Sequence, residues 1–368
     1  MTENNIVLGV SKFNNIMGVT CYMNSILAIM QQTPIFTDYI VGGLFKQSLL
    51  DKHKNDTTNL SHSITYQLHN LIRISLMNDN KIINPQSFRA TISRKESMWG
   101  ESMHQDSQEF LTFLLSQLEN EISDKVQFIP GLNFNSEINN KSIEYNIIQL
   151  LAATQWMNFI KNEYSMIKTL FTGMTRMITM CEYCSNQSNN FDIFQTLQLS
   201  LPNMKQTSTF TLDECMNHYI QEEVLDCNNK MKCNFCYKKN CSKKNTKLWK
   251  TPKILIIHIK RFRFNNYGIP TQKINNMVTY PVENLDITNY IDMMSPDRIN
   301  KTKYNLFAVN RHHTIIPGSI NFGHYTSIVK NRYDDMWYVF DDNTVTKISK
   351  QSELIDSNAY MLFYYRTN

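Results

Sequence analysis

The spacing of apolar residues changes part-way along this 368-residue chain, and that change restricts its fold more than any other feature. In the first half, apolar positions recur at helical intervals. Met23, Ile26, Leu27 and Met30 form one stripe within Cys21 to Met30. Ile64, Leu68, Leu71 and Ile72 form a second, and Phe110, Phe113, Leu114 and Leu118 a third. Asp106 stands three residues before Glu109 at the head of the third stripe, as the N-cap of a capping box would. A further helix is expected over Ile147 to Leu170. Near Thr179 the pattern turns over. Two Cys-x-x-Cys pairs appear, followed by β-branched and aromatic runs bounded by turn residues. Strands are predicted over 253–259, 304–309, 324–329, 336–340 and 359–365, with turns and polar connections over 264–303. Helices, then a cysteine-bearing insertion, then antiparallel strands predict an α+β protein rather than a doubly wound sheet.

Composition narrows the functional classes. The chain is 42% hydrophobic, enough for one large core or a few smaller ones, and its net charge of +5 is spread without a long single-sign run. Neither a disordered chain nor a basic nucleic-acid arm is expected. No run reaches the roughly 18 apolar residues of a membrane span. The opening MTENNIVLGV lacks the basic and apolar regions of a signal peptide. With no leader expected, the eight cysteines read as metal ligands, a nucleophile or buried thiols. That reading places the protein in a reducing, intracellular compartment, cytoplasmic or nuclear.

Three segments carry chemistry. In Gly18-Val19-Thr20-Cys21-Tyr22-Met23-Asn24-Ser25, Cys21 falls at the start of the first amphipathic helix. The unpaired N–H groups and positive dipole end there favour a thiolate, the form a nucleophile needs. Near the other end, Asn321-Phe322-Gly323-His324-Tyr325-Thr326 precedes Trp337-Tyr338-Val339-Phe340-Asp341-Asp342. A strand pair there brings His324 beside an aspartate that fixes its tautomer. A buried thiol, a satisfied core histidine and an Asp-Asp-Asn turn would explain each segment taken alone; an early Cys with a late His and Asp is the papain-like order. Third, Cys181, Cys184, Cys233 and Cys236 can present four thiolates to a tetrahedral metal, although about fifty residues between the pairs exceed the usual finger spacing. Cys227 and Cys241 are alternative ligands, and Cys215 reads as a core thiol.

These segments resemble the Cys and His boxes of the ubiquitin-specific proteases. The resemblance extends over roughly residues 12–368. It includes His104-Gln105-Asp106-Ser107-Gln108-Glu109-Phe110-Leu111, the two cysteine pairs, and Lys253 to Phe262 ending in Lys-Arg-Phe. It implies a papain-like cysteine protease with a helical thumb over 12–168, fingers over 169–250 and a palm over 251–368. It implies Cys21 as nucleophile, His324 as general base and Asp341 as third member, with Asp342 as neighbour or substitute. His312 and His313 match a different family stretch. Structural zinc on Cys181, Cys184, Cys233 and Cys236 is implied, with no catalytic cofactor. Asp106, Glu109 and Tyr325 are the implied substrate-binding residues, the carboxylates facing the arginines of ubiquitin's Leu-Arg-Leu-Arg-Gly-Gly tail. The implied partners are ubiquitin and ubiquitinated proteins, and a monomer without further domains is expected.

One departure stands out. The family usually carries an asparagine five residues before the nucleophile to stabilise the oxyanion; here that residue is Ile16, which cannot donate a hydrogen bond. Losing one such donor typically costs about 100- to 1,000-fold in rate. The Cys21 backbone N–H remains, and Asn15 reaches the site only if the loop is shifted by one residue. Two alternatives follow: a zinc-stabilised ubiquitin-binding pseudoprotease, and a protease for another ubiquitin-like modifier. Phe262, Phe264 and Tyr267 are expected to pack the palm rather than stack on nucleic acid. Lys238, Lys239, Lys243, Lys244 and Lys247 read as a solvated face.

Overall fold

The structure is a computed structural model that describes residues 7–52, 57–77, 81–124, 142–161, 163–202, 209–225, 230–265, 267, 270–300, 302–314 and 323–367. The helical part begins with α1 (Cys21–Met30), all ten residues of which are buried. It continues through α2 (Phe36–Val41), α3 (Lys46–Lys52), α4 (Ile64–Met77), α5 (Gln86–Lys95) and α6 (Ser107–Ile122) to α7 (Ile143–Ile160) and α8 (Met166–Phe171). The α6 stripe Phe110, Leu111, Leu114, Leu115 and Leu118 is buried together with Ile26, Leu27 and Met30 of α1. The Asp106 carboxylate starts α6 by accepting the N–H groups of Gln108 (2.7 Å) and Glu109 (3.1 Å), two of the donors a helix start leaves unpaired.

The expected helix over 147–170 is instead two helices. Tyr164 leaves the helical path to exchange two backbone hydrogen bonds with Asp124, both 2.9 Å. Ser165 then caps α8 by accepting the Lys168 N–H (3.2 Å). A long-range bridge and a new cap outweigh the apolar spacing. Apart from a short pair at Lys12–Phe13 and Ile82–Ile83, strand structure begins at Gly173, earlier than the predicted turnover.

The central sheet runs, in spatial order, Thr344–Lys347, Trp337–Asp341, Gly323–Lys330, Lys303–Thr314, Ala359–Arg366, Ile254–Lys260 and Thr196–Ser200. It is antiparallel except for the last pair. One face carries Phe307, Val329, Phe340, Met361 and Phe363 against the helices. The other carries Leu255, Ile257, Ile328, Leu362 and Tyr364 against the helix α9 (Leu212–Ile220) and its neighbours. A strand buried on both faces reads as a continuous apolar run, which is how Ile254-Leu255-Ile256-Ile257 appears in the sequence. A second sheet extends as Gln187–Phe194, Gly173–Cys181, Ser242–Lys250 and Glu223–Leu225. Helices packed on a largely antiparallel sheet make this the expected α+β, papain-like fold.

Of the aromatic residues expected in the palm, Phe262 packs edge-on against His312 and Tyr360, whereas Tyr267 is 88% exposed and packs nothing in. The Phe264 side chain, Asn321, Phe322 and Cys227 lie outside the described residues.

Candidate active site

Cys21 is the first residue of α1, buried at its N-terminal end. The loop before it is closed by a tight turn whose central residues, Met17 (φ 56°) and Gly18 (φ 73°), are both left-handed. The Val19 N–H donates to the Ile16 carbonyl (3.2 Å) across this turn. Such a turn sets residues 15 and 20 opposite each other. Asn15 Oδ1 accepts the Thr20 N–H (2.8 Å), and Thr20 Oγ1 accepts the Ile16 N–H (2.8 Å).

His324 is the second residue of the Gly323–Lys330 strand, and Asp341 is the last residue of the neighbouring Trp337–Asp341 strand. His324 Nε2 donates to Asp341 Oδ1 at 2.6 Å. The imidazole is raised to about 9, first by its hydrogen bond with Cys21 and then by Asp341, against the opposing effect of burial. The fold thus brings Cys21, His324 and Asp341 together. The other two histidines of this region lack such neighbours. His312 is pushed down to about 3 and His313 to about 4, each chiefly by burial. Of these three, the imidazole between a thiol and a carboxylate is the one built to hold a proton.

Asp342 lies beside His324 and Asp341, with an oxygen within 4.8 Å of both, and binds two amides. Its Oδ2 accepts Asn15 Nδ2 (2.7 Å) and its Oδ1 accepts Asn24 Nδ2 (2.8 Å), while burial pushes its carboxyl up. The two amides join the nucleophile's loop and α1 to the turn that carries Asp341. Neither asparagine was marked by the sequence as a partner of this aspartate, because the contacts cross more than three hundred residues.

A groove of about 1480 Å³ lies between the start of α6 and the central sheet, lined by Asp106, Glu109, His258, Phe262, Tyr325 and Tyr360 among others. Asp106 Oδ2 accepts the hydroxyls of Tyr325 (2.9 Å) and Tyr360 (2.7 Å), so both carboxylate oxygens have internal donors. Tyr325 lines the groove, but it is buried and its hydroxyl is committed to Asp106. Glu109 is exposed at the rim, its carboxyl pushed up by partial burial and by Asp106 and Glu96. Gly323 is sterically required. A Cβ there would stand 1.8 Å from His312 Nε2, and the His312 ring is held by Tyr325 at 4.7 Å. The Gly-His pair was legible in the sequence, but the ring filling the glycine's missing side-chain space was not.

The four cysteines converge at the end of the second sheet. Cys181 and Cys236 Sγ are 3.9 Å apart, Cys184 and Cys233 Sγ 3.8 Å, and all four sulfurs lie within 4.8 Å of one another, so they could hold a metal ion. The two turns repeat each other. Ser185 N–H donates to the Cys181 carbonyl and Tyr237 N–H to the Cys233 carbonyl, both 2.9 Å, with Ser185 and Tyr237 left-handed (φ 57° and 56°). Cys241 is disulfide-bonded, which removes it as an alternative ligand and was not expected of a reducing compartment. Cys215 is a buried thiol on α9. Of the nearby lysines, Lys243 pairs with Glu222 (3.0 Å) and Lys238 lies over the Tyr183 ring.

Comparison with known proteins bears on this arrangement. The profile described as "Ubiquitin carboxyl-terminal hydrolase" matches residues 12–364. The chain belongs to the ubiquitin carboxyl-terminal hydrolase family. It is 31% identical over 351 residues to human ubiquitin carboxyl-terminal hydrolase 2, covering 95% of this chain and 54% of the human protein. It is 30% identical to the chicken protein of that name over 359 residues, covering 98% and 94% of the two. The chain thus spans about half the length of the human relative and nearly all of the chicken one. Among solved structures, the SAGA Ubp8/Sgf11/Sus1/Sgf73 DUB module bound to ubiquitin aldehyde superposes with a TM-score of 0.70 at 21% identity, covering all of this chain and 72% of the other, a likeness of fold. That neighbour is a multi-subunit assembly and lends no support to the expected monomer. No helix among the described residues of this family member is long and apolar enough to cross a membrane.

Proposed function

We propose that this member of the ubiquitin carboxyl-terminal hydrolase family is a deubiquitinating thiol protease that cleaves the bond after the terminal glycine of ubiquitin. The observation that carries the reading is the Cys21–His324–Asp341 array, with His324 raised to about 9 and its Nε2 2.6 Å from Asp341, beside a groove with Glu109 at its rim. Helix α1 presents the sulfur at its positive end. His324 takes the thiol proton, and Asp341 orients the ring and stabilises its charged form. The Cys21 thiolate adds to the glycine carbonyl carbon, and the C–N bond then breaks as the imidazolium protonates the leaving amine. Water attacks the thioester carbonyl while His324 removes its proton, and the Cys21 thiol and ubiquitin carboxylate are released.

In this reading residues 12–168, 169–250 and 251–368 act as thumb, fingers and palm. Cys181, Cys184, Cys233 and Cys236 hold one structural zinc. Zn–S bonds of about 2.3 Å in a tetrahedron place sulfurs about 3.8 Å apart, which the 3.9 and 3.8 Å separations match. All four positions would be filled by protein, leaving no open site for chemistry. The Asp106 carboxylate is tied to Tyr325 and Tyr360, so Glu109 is the stronger candidate for a substrate arginine and Asp106 the brace of the groove wall.

The test is release of a fluorophore from the C-terminus of ubiquitin. Wild type is expected to turn over, and Cys21→Ala to lose turnover by roughly a million-fold, the scale of removing a triad nucleophile. Ile16 favours a second reading, a ubiquitin-binding pseudoprotease. Wild type that binds ubiquitin but releases nothing would establish it, and preference for another modifier's tail in the same assay would redirect the substrate.

A further inference from the structure

Addition of Cys21 to a carbonyl, the step on which this inference rests, puts negative charge on oxygen, and a hydrolytic site must aim donors at that atom. Ile16 offers only its backbone N–H, which Thr20 Oγ1 accepts. The N–H groups of Met23 and Asn24 go to the Thr20 carbonyl, both at 3.0 Å. The Cys21 N–H has no acceptor among the described residues and is one available donor. A second donor is found on the neighbouring loop residue. Asn15 is oriented by its partners: the Thr20 N–H can only donate, so the Asn15 atom 2.8 Å from it is Oδ1. Nδ2 therefore points the other way, to Asp342 Oδ2 at 2.7 Å. A carboxamide nitrogen carries two hydrogens. Asp342 takes one, and the other has no acceptor among the described residues.

The amide is tied to both sides of the reacting centre. On one side it bonds the residue directly before the nucleophile. On the other it bonds a carboxylate that has an oxygen within 4.8 Å of both a His324 ring nitrogen and an Asp341 oxygen. The Met17–Gly18 turn produces this placement by folding residue 15 back across residue 20. We propose that Asn15, through the second hydrogen of its Nδ2, is the side-chain oxyanion donor of this site, and that Asp342 holds and polarises that amide.

The decisive variant is Asn15→Ala, assayed on ubiquitin bearing a C-terminal fluorophore, with the alkylation rate of Cys21 by iodoacetamide followed in parallel by mass spectrometry. Alkylation needs the thiolate and its histidine but forms no oxyanion. The expected result is a roughly 100- to 1,000-fold lower kcat, a KM within about threefold, and an unchanged Cys21 alkylation rate. A kcat close to wild type overturns the inference. So does an alkylation rate that falls along with kcat, which would make Asn15 a positioning residue only. Should Asn15→Ala not fold, the paired exchange Asn15→Asp with Asp342→Asn keeps a hydrogen bond between the two positions while leaving no side-chain N–H at residue 15. It is expected to melt near wild type and stay slow, and recovered turnover would refute the assignment. Wild type without turnover would instead sink the hydrolytic reading itself.

Discussion

The molecule concentrates sulfur in two places and surrounds it in opposite ways. At the end of the second sheet, four cysteines face one another across two near-identical turns, with sulfur separations of 3.9 and 3.8 Å. At the start of α1, a single buried sulfur faces an imidazole backed by a carboxylate. The first arrangement could fill every ligand position of a tetrahedral ion, which in the proposed reading makes its sulfurs structural. The second leaves the sulfur with one partner that can remove its proton and return it elsewhere, which is the condition for nucleophilic work. The surroundings, not the residue type, divide the two roles.

Four experiments would break or sharpen that contrast. The largest effect is expected for Asp341→Asn, which removes one of the two partners that raise His324 to about 9. Loss of the orienting carboxylate is expected to lower kcat by roughly 10⁴-fold. The sign of the pH dependence follows from the raised value. The folded state keeps a proton that an ordinary imidazole of 6.5 gives up, so that contribution to stability is whole below pH 6.5 and lost as pH rises through about 9. Wild-type kcat/KM should decline through the same range, and in Asp341→Asn the decline should move to lower pH; a pH–rate profile measures both.

Metal removal probes the other site. One zinc per chain is expected by elemental analysis. After chelation, hydrogen exchange should speed up over Gly173–Cys181 and Ser242–Lys250 and stay slow in α1. Equal loosening of α1 would mean that the two sulfur sites are not separate units. Gly323→Ala comes next. Its added methyl must displace the His312 ring, which costs about 1–3 kcal/mol as overpacking does and shifts the backbone beside His324. Denaturant midpoints and kcat should fall together. The smallest effect is expected for Glu109→Gln. Glu109 is exposed and in the proposed reading meets a basic tail, so its loss should raise KM about tenfold at low salt, less at high salt, and leave kcat nearly unchanged.

Much of the frame was legible in the sequence because it depends on local rules. Helix α1 spans the Cys21–Met30 stripe, Asp106 caps α6, and the late strands form where β-branched and aromatic residues cluster. The order of the segments also anticipated that Cys21 and His324 meet. What escaped is what depends on distant partners. Residues 147–170 look like one helix until Asp124 pairs with Tyr164. Asp106 reads as a cap and as a substrate-binding carboxylate; the hydroxyls of Tyr325 and Tyr360 that reach its second oxygen come from strands more than two hundred residues away. Asp342 reads as a neighbour of Asp341 or a substitute for it; that Asn15 and Asn24 bind its two oxygens could not be read from the sequence. Tyr267 was assigned to the palm by its neighbours in sequence and lies in solvent.

The distance along the chain between the thiol and the imidazole has its own consequence. Cys21 lies on the first long helix and His324 on a strand near the other terminus, and the two join only when α1 has docked on the central sheet. A nascent polypeptide that has not yet supplied the His324 strand therefore lacks the paired imidazole. On the proposed reading, competence waits for completion of the whole architecture, and turnover would itself be an assay of folding.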